Sequence, residues 1–189
     1  EISECLVGSE MCIRDRVCPW AHRSVIVRRL LGLEDVISLG TADPKRPDVP
    51  RSDWAFTLDE GDVDPVLGIH YISEAYLAAD PDYTGRFTVP ALVDIPSGKV
   101  VNNDYFNLTL YFETAWKPYH KEGAPDLYPE DLREEIDKLN VWLFENVNNA
   151  VYRAQFAESL QAFKDGYETF FAGPVSYTHL RAHETLANL

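Results

Sequence analysis

The chain has 189 residues, is 46% hydrophobic and carries a formal net charge of -14. That is enough apolar sequence for one domain or two small packed units. It is too acidic a balance for a nucleic-acid or anionic-membrane surface, which needs clustered Lys and Arg. No apolar run reaches membrane-spanning length and no signal-peptide pattern surrounds Met11, so the expectation is a soluble cytoplasmic protein. Cys5, Cys12 and Cys18 all lie in the first tenth of the chain; no disulfide can staple the body of the fold, and a reducing compartment follows.

Residues 1–16 (EISECLVGSEMCIRDR) have neither the alternation of a strand nor a helical stripe, and they stop abruptly where the next motif begins. Residues 174–189 (PVSYTHLRAHETLANL) break off a helical pattern just as abruptly. Both strings resemble translated adapter or junction sequence and are read as non-native tails. His179 and His183, followed by Glu184, have the spacing of two metal ligands on one helix face but lack the His-Glu-x-x-His order. No metal is therefore expected.

The first informative stretch is Cys18-Pro19-Trp20-Ala21-His22-Arg23. Proline is favoured at the first helical position because its missing N–H is an orphan there. Cys18 then falls at the N-cap, with free backbone donors and the positive end of the helix dipole beside its sulfur, a setting that favours the thiolate. Ala21 occupies the second-cysteine position of a Cys-X-X-Cys turn. A lone thiolate has no internal partner to resolve a mixed disulfide, so an external low-molecular-weight thiol is implied. A buried, inert cysteine is the structural alternative.

Trp20, Val25, Ile26, Val27, Leu30 and Leu31 form a broad apolar helical stripe that stops at Gly32, while Arg23, Arg28 and Arg29 fall on its polar side. Arg23 is close enough in sequence to add field at Cys18. Residues 36–39 (VISL) read as a buried parallel strand. A long Asp-, Pro- and Gly-rich connection follows, containing Trp54, which is either a ligand wall or a plug over the core. Residues 71–79 read as a short helix closed by Asp80-Pro81. In Thr88-Val89-Pro90 the proline must stand at a strand's start or in a turn. A Thr-Val-Pro entry to a strand, downstream of a cysteine helix, resembles the cis-proline of thioredoxin-like folds. A cis bond there would turn the N–H and C=O of Val89 toward a peptide-like ligand. A hairpin through Pro96-Ser97-Gly98-Lys99 comes next. Asn103 or Asp104 is then the expected N-cap of an apolar helix over 106–115, whose spare N–H groups could take a ligand carboxylate.

Residues 117–128, with Pro118, Gly123 and Pro125, read as a linker between a domain over 17–116 and a helical domain beginning over 129–173. Leu132, Ile136, Leu139, Leu143 and Val147 are spaced as one helix face. Asn146, Asn148 and Asn149 are poor interior helix formers and suggest a bend or a hydrogen-bonded wall. Tyr152 follows on the next helical stretch, and a last helix over about 158–171 should end at Gly173-Pro174.

Four motifs, Cys-Pro-Trp-Ala-His-Arg at Cys18, Gly-Arg-x-Thr-Val-Pro at Gly85, Asp-Leu-Tyr-Pro-Glu at Asp126 and Val-Asn-Asn-x-Val-Tyr at Val147, stand in order and spacing that resemble the glutathionyl-hydroquinone reductases, the xi-class glutathione transferases. The resemblance implies a thioredoxin-like α/β domain followed by an all-α helical domain, here truncated. The family's first strand precedes the cysteine, so the resemblance implies that it is missing, and that the chain is an internal fragment. Carried over position by position, Cys18 matches the nucleophile and Tyr152 the proton-donating tyrosine. Trp54, Arg86, Phe87, Thr88 and Val89 match the glutathione-contacting wall. Asp104 and Tyr105 stand where the family has an acid and a serine that hold the γ-glutamyl end. Tyr105 departs from that pattern and resembles sequences from bacteria that use mycothiol; Ala150 and Gln155 replace common glycines. The implied co-substrate is glutathione, or mycothiol, and the implied partners are small-molecule thiols and quinone conjugates, with homodimers in the intact family. Competing readings are a non-catalytic thioredoxin-like binding module, an ordinary conjugating transferase and an inactive fragment of the reductase.

Overall fold

The computed structural model describes residues 9–14, 18–45 and 53–187. Cys5 lies outside the described residues, as do the side chains of Cys12, His179 and His183. Among the described residues, no group of three or more His, Cys, Asp or Glu could hold a metal ion, and no helix is long and apolar enough to cross a membrane. The chain divides into two compact units, Glu1–Leu127 and Tyr128–Leu189.

The first unit is built on a four-stranded sheet of order β2-β1-β3-β4, formed by β1 (Ser9–Arg14), β2 (Ile37–Ala42), β3 (Ala91–Asp94) and β4 (Lys99–Asn102). β1 pairs parallel to β2, with Met11 opposite Leu39, and antiparallel to β3, with Met11 opposite Leu92. A parallel pair needs a crossover, which α1 (Pro19–Leu31) supplies. β3 and β4 close a hairpin in which Asp94 accepts from the Ser97 N–H and Gly98 takes φ 64°. The expectation that the first strand is missing is thus overturned, since Ser9–Arg14 occupies the centre of the sheet. The physical reason is that a ladder is made by backbone groups, which every non-proline residue supplies whatever its side chain.

Period-two alternation places successive β3 residues on opposite faces. Leu92 joins Ala21, Val25, Leu31, Ile37, Leu108, Phe112 and Trp116 in a core under α1 and α3 (Leu108–Thr114). Ala91 and Val93 join Trp54, Phe56, Ile72, Ala75, Tyr76, Phe87 and Val89 in a second core under α2 (Ile72–Ala79). α2 starts where the Glu74 carboxylate accepts from the N–H groups of His70 and Tyr71, and α1 stops at Gly32 in the left-handed region, φ 71°. Arg28, placed by sequence on a polar face, is 6% exposed. Its Nε donates to the Ile37 carbonyl at 2.6 Å and its Nη2 to the Glu34 carbonyl at 3.3 Å. Burial lowers its pKa, opposed by Glu34.

The second unit holds α4 (Arg133–Leu143), a π-helical turn over Phe144–Asn148, α5 (Ala150–Gln155) and α6 (Leu160–Ala187). The asparagine run falls in and beside the π-helical turn. Asn149 N–H reaches the Phe144 carbonyl at 2.8 Å, and Asn146 Nδ2 donates to the Trp142 carbonyl at 2.9 Å. The expected stop at Gly173-Pro174 fails, because α6 runs through it for 28 residues with Pro174 inside.

Candidate functional site

Cys18 is the N-cap of α1, with extended backbone (φ -84°, ψ 113°) and Pro19 opening the helix. Its carbonyl accepts the first helical bond from His22 at 2.9 Å, and its side chain is half-buried. The thiol donates to the carbonyl of Val89 at 3.6 Å across 71 residues of sequence. That contact brings the cysteine start of α1 against the turn before β3. The Val89–Pro90 peptide is cis. Among the described residues, the Val89 N–H has no partner.

The 86–89 stretch is held from behind by two side chains. Trp54, buried, donates its indole N–H to the Phe87 carbonyl at 2.9 Å. Tyr76 donates its hydroxyl to the Thr88 carbonyl at 2.8 Å and contacts Thr88 Oγ1 at 3.1 Å. The Phe87 ring lies in the core, 5.6 Å from Tyr76 and 5.8 Å from Tyr83. Arg86 is exposed, and its carbonyl accepts from the Tyr83 hydroxyl at 3.0 Å. Trp54 and Phe87 therefore back this stretch, with the Val89 side chain buried beside them, while Thr88 is half-buried and Arg86 exposed.

A second strip is the loop ahead of α3. Asp104 turns the chain rather than capping α3 directly. Its N–H donates to Asn102 Oδ1 at 2.8 Å, and its carboxylate accepts from the Asn107 N–H (3.1 Å), Asn107 Nδ2 (2.8 Å) and the Tyr111 hydroxyl (3.3 Å). An ionised carboxylate has roughly four acceptor positions, so room remains for about one further donor. Burial and the Asp104 charge raise the pKa of the Tyr111 phenol. Tyr105, partly exposed, sets its ring 5.1 Å from Trp20, and Phe106 lies 6.4 Å from the same indole.

Cys18, Val89 and the Trp20–Tyr105 contact are thus brought together around the first turn of α1 within one compact unit. Tyr152 belongs to the second unit, half-buried on α5, with its ring stacked on Phe156 at 6.4 Å and an interplanar angle of 10°. Sequence reasoning missed Tyr76 and underrated Arg23. Tyr76 sits in an apolar helical stretch, where a lone phenol was the available signal, and its pKa is raised by burial, opposed by hydrogen bonds from Thr88 and Asn103. Arg23 donates Nη2 to the Phe106 carbonyl at 2.6 Å and lies 5.0 Å above the Trp20 ring.

Residues 17–115 match the family described as glutathione S-transferase, N-terminal domain. The chain is 36% identical over 156 residues to glutathionyl-hydroquinone reductase YqjG of Escherichia coli, covering 82% of this chain and 46% of that protein. The glutathione-bound structure of YqjG superposes with a TM-score of 0.78 at 34% identity, covering 89% of this chain and 54% of that one. A glutathione transferase from Gordonia bronchialis is similar with a TM-score of 0.83 at 44% identity (91% and 52% covered). The Xi glutathione transferase from Phanerochaete chrysosporium is similar with a TM-score of 0.78 at 36% identity (87% and 56% covered). The chain spans about half the length of the relatives it matches.

Proposed function

The chain belongs to the glutathione S-transferase family, and on that premise we propose that it serves a thiol-dependent reductase that converts S-glutathionyl-hydroquinones to hydroquinones, with Cys18 as nucleophile. One observation carries this reading: a single cysteine at the start of α1, its sulfur 3.6 Å from the Val89 carbonyl, with Ala21 where a resolving cysteine would stand. A conjugating transferase would place a hydroxyl at that position to hold the thiolate of its co-substrate.

The chemistry follows from a lone thiolate. Cys18 attacks the sulfur of the conjugate; the bond between that sulfur and the ring carbon breaks, its electron pair stays on the carbon, and a proton is added there. The products are the hydroquinone and a Cys18 mixed disulfide. A second thiol then attacks the mixed disulfide, releasing oxidised disulfide and restoring Cys18, so the thiols are oxidised by two electrons and the ring carbon is reduced. Carbon is a poor leaving atom, and Tyr152 is the proposed proton donor to it. The Val89 N–H would hold the peptide-like part of the thiol, Arg86 and Thr88 its flank, and Asp104 with Tyr105 its amino-acid end. Trp54 and Phe87 keep that wall in place. Glutathione is the proposed thiol, supported by its presence in the related YqjG structure. Tyr105 in place of a serine makes mycothiol the alternative co-substrate.

The test is single turnover with a glutathionyl-hydroquinone, followed by mass spectrometry of the protein. Wild type should accumulate a glutathione adduct on Cys18 and release hydroquinone, and Cys18→Ser should do neither. Unchanged ligand binding with no turnover in either protein would support the binding-module reading, and conjugation gained by Cys18→Ser the transferase reading. Tyr152→Phe should slow hydroquinone release by roughly 100-fold or more, the usual size of general-acid catalysis, while leaving reduction of a small mixed disulfide intact. Equal loss on both substrates would remove the acid role.

A further inference from the structure

Arg23 is a cation on the second turn of α1 whose bonds leave the helix. Its Nη2 donates to the carbonyl of Phe106, 83 residues away, at 2.6 Å. Its guanidinium lies over the indole of Trp20, 5.0 Å from the ring centroid, and that indole packs on Tyr105 and Phe106. Its Nε is buried and has no hydrogen-bond partner among the described residues. Burial pulls its pKa down, yet an arginine stays charged at any working pH. A flexible, hydrated Lys would satisfy a need for charge alone. A planar fork that lies over an indole while donating sideways to a fixed carbonyl is arginine-specific work.

We infer that Arg23 is a positioning residue that ties the first turn of α1, and with it Cys18, to the 103–107 loop that carries Asp104 and Tyr105. The inference rests on the reading that this loop faces the thiol co-substrate. The tether fixes the distance between the nucleophile and the groups that hold the co-substrate's amino-acid end. Its effect is on affinity and loop order rather than on the sulfur. Trp20 serves as the spacer, since it is two residues from Cys18 and touches both aromatic residues of the loop.

The experiment compares wild type, Arg23→Lys, Arg23→Gln and, as a control, Arg29→Gln, whose exposed side chain sits on the same helix. Three quantities are read on the whole chain. They are amide hydrogen exchange at residues 105–108 with the Asp80 amide as internal reference, the Kd for S-methylglutathione, and the iodoacetamide alkylation rate of Cys18. Loss of a charged group's hydrogen bond sets the expected scale at about tenfold. Both Arg23 variants should speed exchange at 105–108 by that factor and weaken S-methylglutathione as much. The Asp80 exchange and the Cys18 alkylation rate should stay at wild-type values, and Arg29→Gln should match wild type throughout. Full rescue by Lys, a slowed Cys18 alkylation, or equal acceleration at Asp80 would each overturn the tether. If wild type fails to bind S-methylglutathione, the thiol assignment falls, and the exchange data still decide whether the tether exists.

Discussion

Tyr76 joins two stretches on which the site depends. Its hydroxyl bonds to both oxygens of Thr88 and interacts with Asn103, so one phenol braces the turn before β3 and the start of the 103–107 loop. Burial raises its pKa above the ordinary value of about 10. The folded chain therefore keeps a proton that the unfolded chain has already lost. This contribution to stability is complete below about pH 10 and is lost as pH rises through the folded value. Tyr76→Phe should cost about 1 kcal/mol at neutral pH and make the loss of stability between pH 9 and 11 shallower, as read by urea midpoints. Tyr111 and Tyr128, whose pKa values are also raised, leave a residual slope; an unchanged slope would show that Tyr76 does not feel its burial. At this scale the helix start at Cys18 was legible, because Cys-Pro at a helix start is a local pattern. Arg23, Arg28 and Tyr76 were not, because their partners lie at Phe106, Ile37 and Thr88 and only the fold brings them near.

Among the elements, α6 departs furthest from its local signals. Gly-Pro is ordinarily a helix stop, and Pro174 removes one backbone donor and crowds the preceding turn. Gly173 has a tertiary job instead. A Cβ there would lie 2.4 Å from the Asn146 carbonyl oxygen and 2.9 Å from Val147 Cγ2. At Gly166, seven residues earlier on the same face, a Cβ would lie 2.7 Å from the Ala154 backbone nitrogen. The two glycines let α6 approach the π-helical turn and α5, and such packing outweighs the propensity of either residue. Alanine at an ordinary helical site gains about 1 kcal/mol over glycine, but here the near atoms are backbone and cannot rotate away. Gly173→Ala and Gly166→Ala should therefore each destabilise the second unit by about 1–3 kcal/mol, measured by amide exchange along α5 and α6. Slower exchange in either variant would mean that the close approach is not made. The asparagine run was readable as a departure from regular α-helix because propensity acts locally; the continuation of α6 was not, since it depends on what the glycines face.

For the molecule as a whole, what the sequence conveyed was the order of elements: a cysteine helix, a long connection, a Val-Pro turn into a hairpin, then helices. It could not convey which backbone would fill the middle of the sheet. Residues 1–16 carry no strand pattern, yet Ser9–Arg14 pairs with β2 along six residues and with β3 along four. β2 depends on that strand, since without it β2 loses its paired strand in the sheet. The consequence is a sharp dependence on a segment whose side chains look unselected. Deleting residues 1–16 should abolish cooperative unfolding of the first unit, seen as loss of near-ultraviolet dichroism from the buried Trp20, Trp54 and Trp116, while the helical signal falls less. Substitutions within Ser9–Arg14 that keep the backbone donors should be milder than a proline at Met11, which removes an N–H from a strand paired on both sides. If the deletion unfolds as cooperatively as the full chain, β2 and β3 close the sheet without β1. The Cys18 site would then stand on α1 and the hairpin alone.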